Sequence, residues 1–158
     1  MSTETELLAV LTEQEERLQF SRFDNETALA LGIQLLEAAR EQGLPVTISV
    51  RRNGQRLFHA ALPGTAADND AWIERKSRVV DRYGHSSFLI GTRFRAKGGS
   101  FEEHSRLDQD VYAAHGGVFP VIVKDVGPIG TVGVSGLPQA ADHTFVVEQL
   151  ALFLAERD

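Results

Sequence analysis

The residues best equipped for chemistry in this chain fall in four short stretches: Asp68, Asn69, Trp72 and Lys76 together, His115 ahead of Gly116-Gly117, Ser135 in a glycine-punctuated run, and His143 near the C-terminus. Lys76 lies four residues after Trp72 and four before Val80, inside the apolar stripe of a helix. Its ammonium is therefore either snorkelling at the edge of the stripe or buried for a purpose. Imidazole at His115 or His143 could ligate a metal or move a proton near neutral pH, and a hydrogen-bonded structural role is the alternative for each. No H-x-x-x-H or H-x-x-E pair supplies a local divalent-metal site. Asp68 and Asn69 are also natural helix caps. Arg75, Arg78 and Arg82 share another helical face with Asp70, Glu74 and Asp81 at hand, which reads as a solvated, ion-paired surface. His59, His85 and His104 have no supporting context.

The glycine run GPIGTVGVSGLPQAADH places Gly127, Gly130, Gly133 and Gly136 at every third position. A dinucleotide fingerprint needs G-x-G-x-x-G leading straight into a helix, a phosphate loop needs a terminal Gly-Lys-Ser/Thr, and a nucleophile elbow needs G-x-S-x-G. None is present. Ile129, Val132 and Val134 make the segment a strand, in which glycine marks either the close approach of a ligand or bulges and tight packing against a neighbour. Spacing of three alternates faces, so Gly130 and Gly136 open one side of the sheet and Gly133 the other.

These residues need elements to hold them. Thr3 and Glu6 have capping-box spacing ahead of Leu7, Leu8, Leu11 and Leu18, predicting a surface helix from about 3 to 17. After an extended stretch flanked by Phe20 and Phe23, Asp24 caps a second helix that ends at Gly43, with Pro45 beyond it. Val46, Ile48 and Val50 alternate up to Asn53-Gly54, and Leu57 to Leu62 return, which is a hairpin. Helices are expected over about 67–83, closed by Gly84, and over about 86–96. AKGGSFEEHSRLDQ reads as a loop, followed by a helical turn around 110–114. VFPVIVK and IGTVGVS form a second hairpin across Asp125 to Pro128, and an amphipathic helix spans about 141–156.

Composition bounds the function. The chain has 158 residues, a net charge of −6 and no cysteine. One domain spanning 1–158 is expected. The acidic balance argues against an extended nucleic-acid footprint. Without cysteine there is no disulfide and no thiolate ligand or nucleophile, and cytoplasm is the expected compartment. An acidic N-terminal stretch and the lack of any run of about 18 apolar residues predict no signal peptide and no membrane span.

The stretches LQFSRFDNETALALG, PGTAADNDAWIERKSRVVDRYGHSS, YAAHGGVFPVIV and GTVGVSGLPQAADH resemble, in order, the uncharacterised-protein-family branch of the GlcG/HbpS-like, or heme-degrading domain, superfamily. The resemblance runs from about residue 18 to the C-terminus. It implies an α+β, profilin-like α/β/α sandwich, with a central antiparallel sheet from the two hairpins and helices on both faces. It also implies a homo-oligomer (dimer or higher) that binds a small ligand, with heme or a related tetrapyrrole as possible cofactor. Three functions follow as expectations. The first is a small-ligand-binding module, the ligand a tetrapyrrole or small anionic metabolite, with a site at Asp68, Asn69, Trp72, Lys76, His115, Ser135 and His143. The second is an enzyme in which His115 or His143 is general base and Lys76 stabilises negative charge, which requires the three to converge. The third is an oligomeric interaction protein without a ligand.

Overall fold

The computed structural model describes residues 3–157. Its first helix, α1, covers Thr3–Arg17. Thr3 is already helical rather than capping, and Leu11 and Glu15 are the residues α1 buries. Asp24 accepts a hydrogen bond from the Thr27 amide and starts α2, Asn25–Gln42. That helix stops at Gly43, whose left-handed φ of 67° returns its N–H to the Ala39 and Arg40 carbonyls. Strand β1 (Thr47–Arg52) and strand β2 (Gln55–Ala61) pair antiparallel across the Asn53-Gly54 turn, where both residues have positive φ. Helix α3 follows at Ala67–Tyr83, and α4 at Ser87–Ala96 with Ser86 capping it.

Next comes α5, Phe101–His104, where the sequence reads as loop. Ser100 caps it, and Phe101 is buried beside Tyr83 and Phe94, one aromatic anchor being too little to register as periodicity. The expected helical turn near 110–114 is only a turn closed by Val111 and Tyr112 amides on the Asp108 carbonyl. Strands β3 (Val118–Val123) and β4 (Gly127–Ser135) make the second hairpin, and α6 runs Gln139–Arg157.

The four strands form one antiparallel sheet in the order β2-β1-β4-β3, with helices on both faces. Ile48, Val50, Phe119, Val121, Val132 and Val134 point to one side and build the main core with α2 and α6. Strand alternation turns Thr47, Ser49, Thr131 and Ser135 to the other side, which α3 covers. Beyond α3, a second core joins α1 and α4 through Leu11, Val79, Leu89 and Ile90. The chain at Phe20 pairs with the outer edge of β3, its amide donating to the Ile122 carbonyl. The β4 glycines answer to neighbouring backbone. A Cβ at Gly130 would collide with the Arg51 carbonyl, one at Gly133 with the Gly117 carbonyl and Val118, and one at Gly136 with the Pro45 carbonyl. Among the described residues no helix is long and apolar enough to cross a membrane.

Candidate functional site

Helix α3 presses Ile73, Lys76, Ser77, Val79 and Val80 against its neighbours, so Lys76 is buried rather than snorkelling. A buried ammonium is tolerated only if its donors are used. Lys76 Nζ lies 3.0 Å from the Gly116 carbonyl oxygen, 3.0 Å from that of Val134 and 3.4 Å from Asp142 Oδ2. Three N–H groups thus meet three acceptors. Burial pushes the Lys76 ammonium below its ordinary pKa and the Asp142 carboxyl above its own, while the attraction between them opposes both shifts. Asp142 Oδ1 also accepts from the Leu137 amide at 3.0 Å, holding the turn between β4 and α6.

The same point explains His115-Gly116-Gly117. Gly117 has φ of 139°, and a Cβ there would run into Lys76 Nζ and the Val134 carbonyl. The second glycine of the pair therefore makes room for the lysine, and the first lends it a carbonyl.

Over this tether lies a depression of about 280 Å³. Asp68, Asn69 and Trp72 line it from α3, His115 from the lead into β3, and Ser135 from the end of β4, with Lys76 beneath. Asn69 Oδ1 accepts from the Ala66 amide at 2.9 Å, so it does serve the helix N-terminus, while its Nδ2 reaches Ser135 Oγ at 3.5 Å. Asp68 makes no such cap. The Trp72 and His115 rings meet edge to face, with centroids 5.3 Å apart. Arg75 stacks over the Trp72 ring, 4.4 Å from its centroid, and donates to the Gln109 carbonyl, and Arg78 donates to that of Val111. These arginines pin the segment leading to His115 rather than merely facing solvent.

His115 is half-buried. Its Nε2 lies 3.6 Å from Glu102 Oε1, and Nδ1 has no hydrogen-bond partner among the described residues. Burial pulls its pKa below the ordinary 6.5, against the opposing pull of Glu102, so the ring is neutral at neutral pH with a lone pair to give.

His143 is not in this depression. Its ring is buried between Phe88 and Phe119, and Nε2 donates to Gln14 Oε1 at 2.7 Å. Burial lowers its pKa to about 4, so it is a neutral packing group. The convergence of both histidines with Lys76 that an acid–base enzyme requires is therefore absent. Lys76, with all three donors used, has none for a developing anion. Sequence reasoning did not single out Asp142 or Gln139, which also line the depression, Gln139 accepting from the Gly116 amide. A lysine in a buried stripe demands an anion nearby, and Asp142 beside His143 was the available one. Among the described residues no group of three or more histidine, aspartate or glutamate side chains is arranged to hold a metal ion.

The model of the family described as haem degrading protein HbpS-like matches residues 23–151. A UPF0303 protein of Streptomyces coelicolor is 63% identical over 149 residues, covering 94% of each chain. Among solved structures, that of Ybr137w protein is similar with a TM-score of 0.87 at 34% identity, over 94% of this chain and 88% of the other. A PduOC:heme complex shares the fold, with a TM-score of 0.64 at 17% identity over 82% of this chain and 93% of the other.

Proposed function

The chain belongs to the HbpS-like family of haem degrading proteins, and from that premise we propose that it is a ligand-binding module whose ligand lies against Trp72 and His115, with haem iron as the partner of the His115 imidazole. The observation that carries this reading is the state of His115: half-buried, neutral, edge-on to Trp72, and with one ring nitrogen unpartnered. Axial ligation needs such a ring. The residues fit the iron through this donor. The depression is too small to enclose a macrocycle, so Trp72, Asn69 and Ser135 would meet only part of it. When bound, haem supplies a redox-active iron. The protein's own part is to hold the imidazole in place through Trp72, Arg75 and the Lys76 tether. Asp68 offers a carboxylate at the rim.

The absence of a free cation in the depression turns the reading away from a small anionic metabolite at this position. The test is a hemin titration followed by absorbance. Wild-type protein is expected to give a saturable Soret shift, and His115→Ala to lose it. A shift that is absent, or indifferent to His115→Ala, overturns the reading.

Self-association belongs to the same proposal. Leu29 and Ile33 on α2 and Leu152 on α6 are exposed on one side of the molecule. Ile33→Glu with Leu152→Glu is expected to reduce the mass measured by light scattering, and an unchanged mass would remove this face from the interface.

A further inference from the structure

Helix α3 serves two cavities. Asp68, Asn69, Trp72 and Lys76 turn to the depression described above, whereas Asp70, Glu74, Ser77 and Arg78 turn to a separate cleft of about 250 Å³ against β1 and β2. Three features of that cleft suit it to an anionic ligand.

The first is a pair of hydroxyls. Ser49 on β1 and Ser77 on α3 line the cleft, are only 4% and 3% exposed, and make no side-chain hydrogen bond among the described residues. Both hydroxyls are thus left open to a ligand in the cleft. The second is a set of like charges. Arg51 and Arg56 are direct cross-strand partners on β1 and β2, an arrangement that costs stability, and Arg78 adds a third guanidinium from α3. Glu74 holds two of them loosely, at 3.5 Å from Arg56 and 3.9 Å from Arg78, whereas Arg51 is held by Asp81 at 3.2 Å and by Thr131 Oγ1 at 3.3 Å. The exposed Glu74 pairs exchange readily for a better-matched anion. The third is His59, directly opposite Ser49 across the strands, whose Nε2 is 2.5 Å from Asp70 Oδ1. That contact occupies Asp70 and leaves the three guanidiniums facing a single remaining carboxylate of the lining, Glu74.

We infer that this cleft binds a small phosphate-bearing ligand, its phosphoryl oxygens taken by Arg51, Arg56 and Arg78 and by the Ser49 and Ser77 hydroxyls. Guanidinium forks match phosphate oxygens, and donors arriving from both the hairpin and the helix suit a tetrahedral group better than a planar carboxylate. The cleft, with a volume of about 250 Å³, has room for a phosphate group with a short organic stub. Glu74 is the group the ligand displaces. None of its residues lines the depression beside His115, and only Arg78 reaches toward that site, through its hydrogen bond to the Val111 carbonyl.

Titration of the full-length protein with inorganic phosphate at constant ionic strength tests the inference, read by the His59 ring and arginine side-chain NMR signals. A saturable shift at one phosphate per chain is expected. Arg56→Gln and Ser77→Ala should each weaken it by about tenfold, the loss of one charge-assisted or buried hydrogen bond. Arg56 is more than half exposed, so its replacement leaves folding intact. His115→Ala should bind phosphate like wild type, which separates this result from the fate of the haem reading. No saturable shift, or shifts equal in wild type, Arg56→Gln and Ser77→Ala, would overturn it.

Discussion

Lys76 and Asp142 form an ion pair of 3.4 Å in which the side chains are only 3% and 2% exposed. The partners of Lys76 come from the lead into β3, the end of β4 and the start of α6, so with α3 itself four segments meet at one ammonium. Removing either partner strands the other charge in a low-dielectric site. Lys76→Met or Asp142→Asn should therefore cost about 3–5 kcal/mol, and Lys76→Met with Asp142→Leu distinctly less than the sum. Urea unfolding of the three variants measures this, and additive losses would show that the two charges are not coupled.

Gly117 is expected to resist substitution for the same reason. Gly117→Ala combines a left-handed φ with collisions at Lys76 Nζ and the Val134 carbonyl, and should cost more than about 2 kcal/mol. Gly98→Ala also has positive φ but meets nothing within 4 Å, so it should cost only about 1 kcal/mol. Equal shifts in the two unfolding midpoints would remove the packing explanation.

Much of this was legible in the residues. Asn53-Gly54 between alternating apolar runs marked the first hairpin, and Asp24, Gly43 and Gly84 marked helix ends where caps are found. Of the residues singled out, Asp68, Asn69, Trp72, Lys76, His115 and Ser135 line one depression and His143 does not. The role of His143 was not legible, because whether an imidazole faces a cavity or sits between Phe88 and Phe119 depends on tertiary packing that no local spacing encodes. The arginine cleft was hidden for a related reason. Arg51 and Arg56 become opposed only through a register shift after Val50, and Arg78 joins them from a helix that reads as solvated.

His143 should give the protein a specific acid sensitivity. Its folded pKa near 4 lies below the ordinary 6.5, so the unfolded chain takes up a proton first as pH falls. The stabilisation is complete above pH 6.5 and is lost between there and pH 4, to a total of about 3 kcal/mol. His143→Gln should flatten this slope in denaturant titrations at several pH values, and an unchanged slope would assign it to other groups.

Ligand binding through His115 should depend on pH with the same sign. Its lowered pKa keeps the ring neutral at pH 7, so hemin affinity should be level through neutral pH and fall only with a midpoint below 6.5. Glu102→Gln removes the charge that holds the pKa up and should move that midpoint lower still. A midpoint that ignores Glu102→Gln would point to a different ligating group.

The most direct measurement is the NMR spectrum of protein labelled at the imidazole nitrogens of its five histidines, recorded before and after adding hemin. The His115 ring signals are expected to shift or broaden beyond detection at one hemin per chain, while those of His143 and His59 stay in place. Unmoved His115 signals, or loss of another histidine's signals in their stead, would contradict a haem site built on His115.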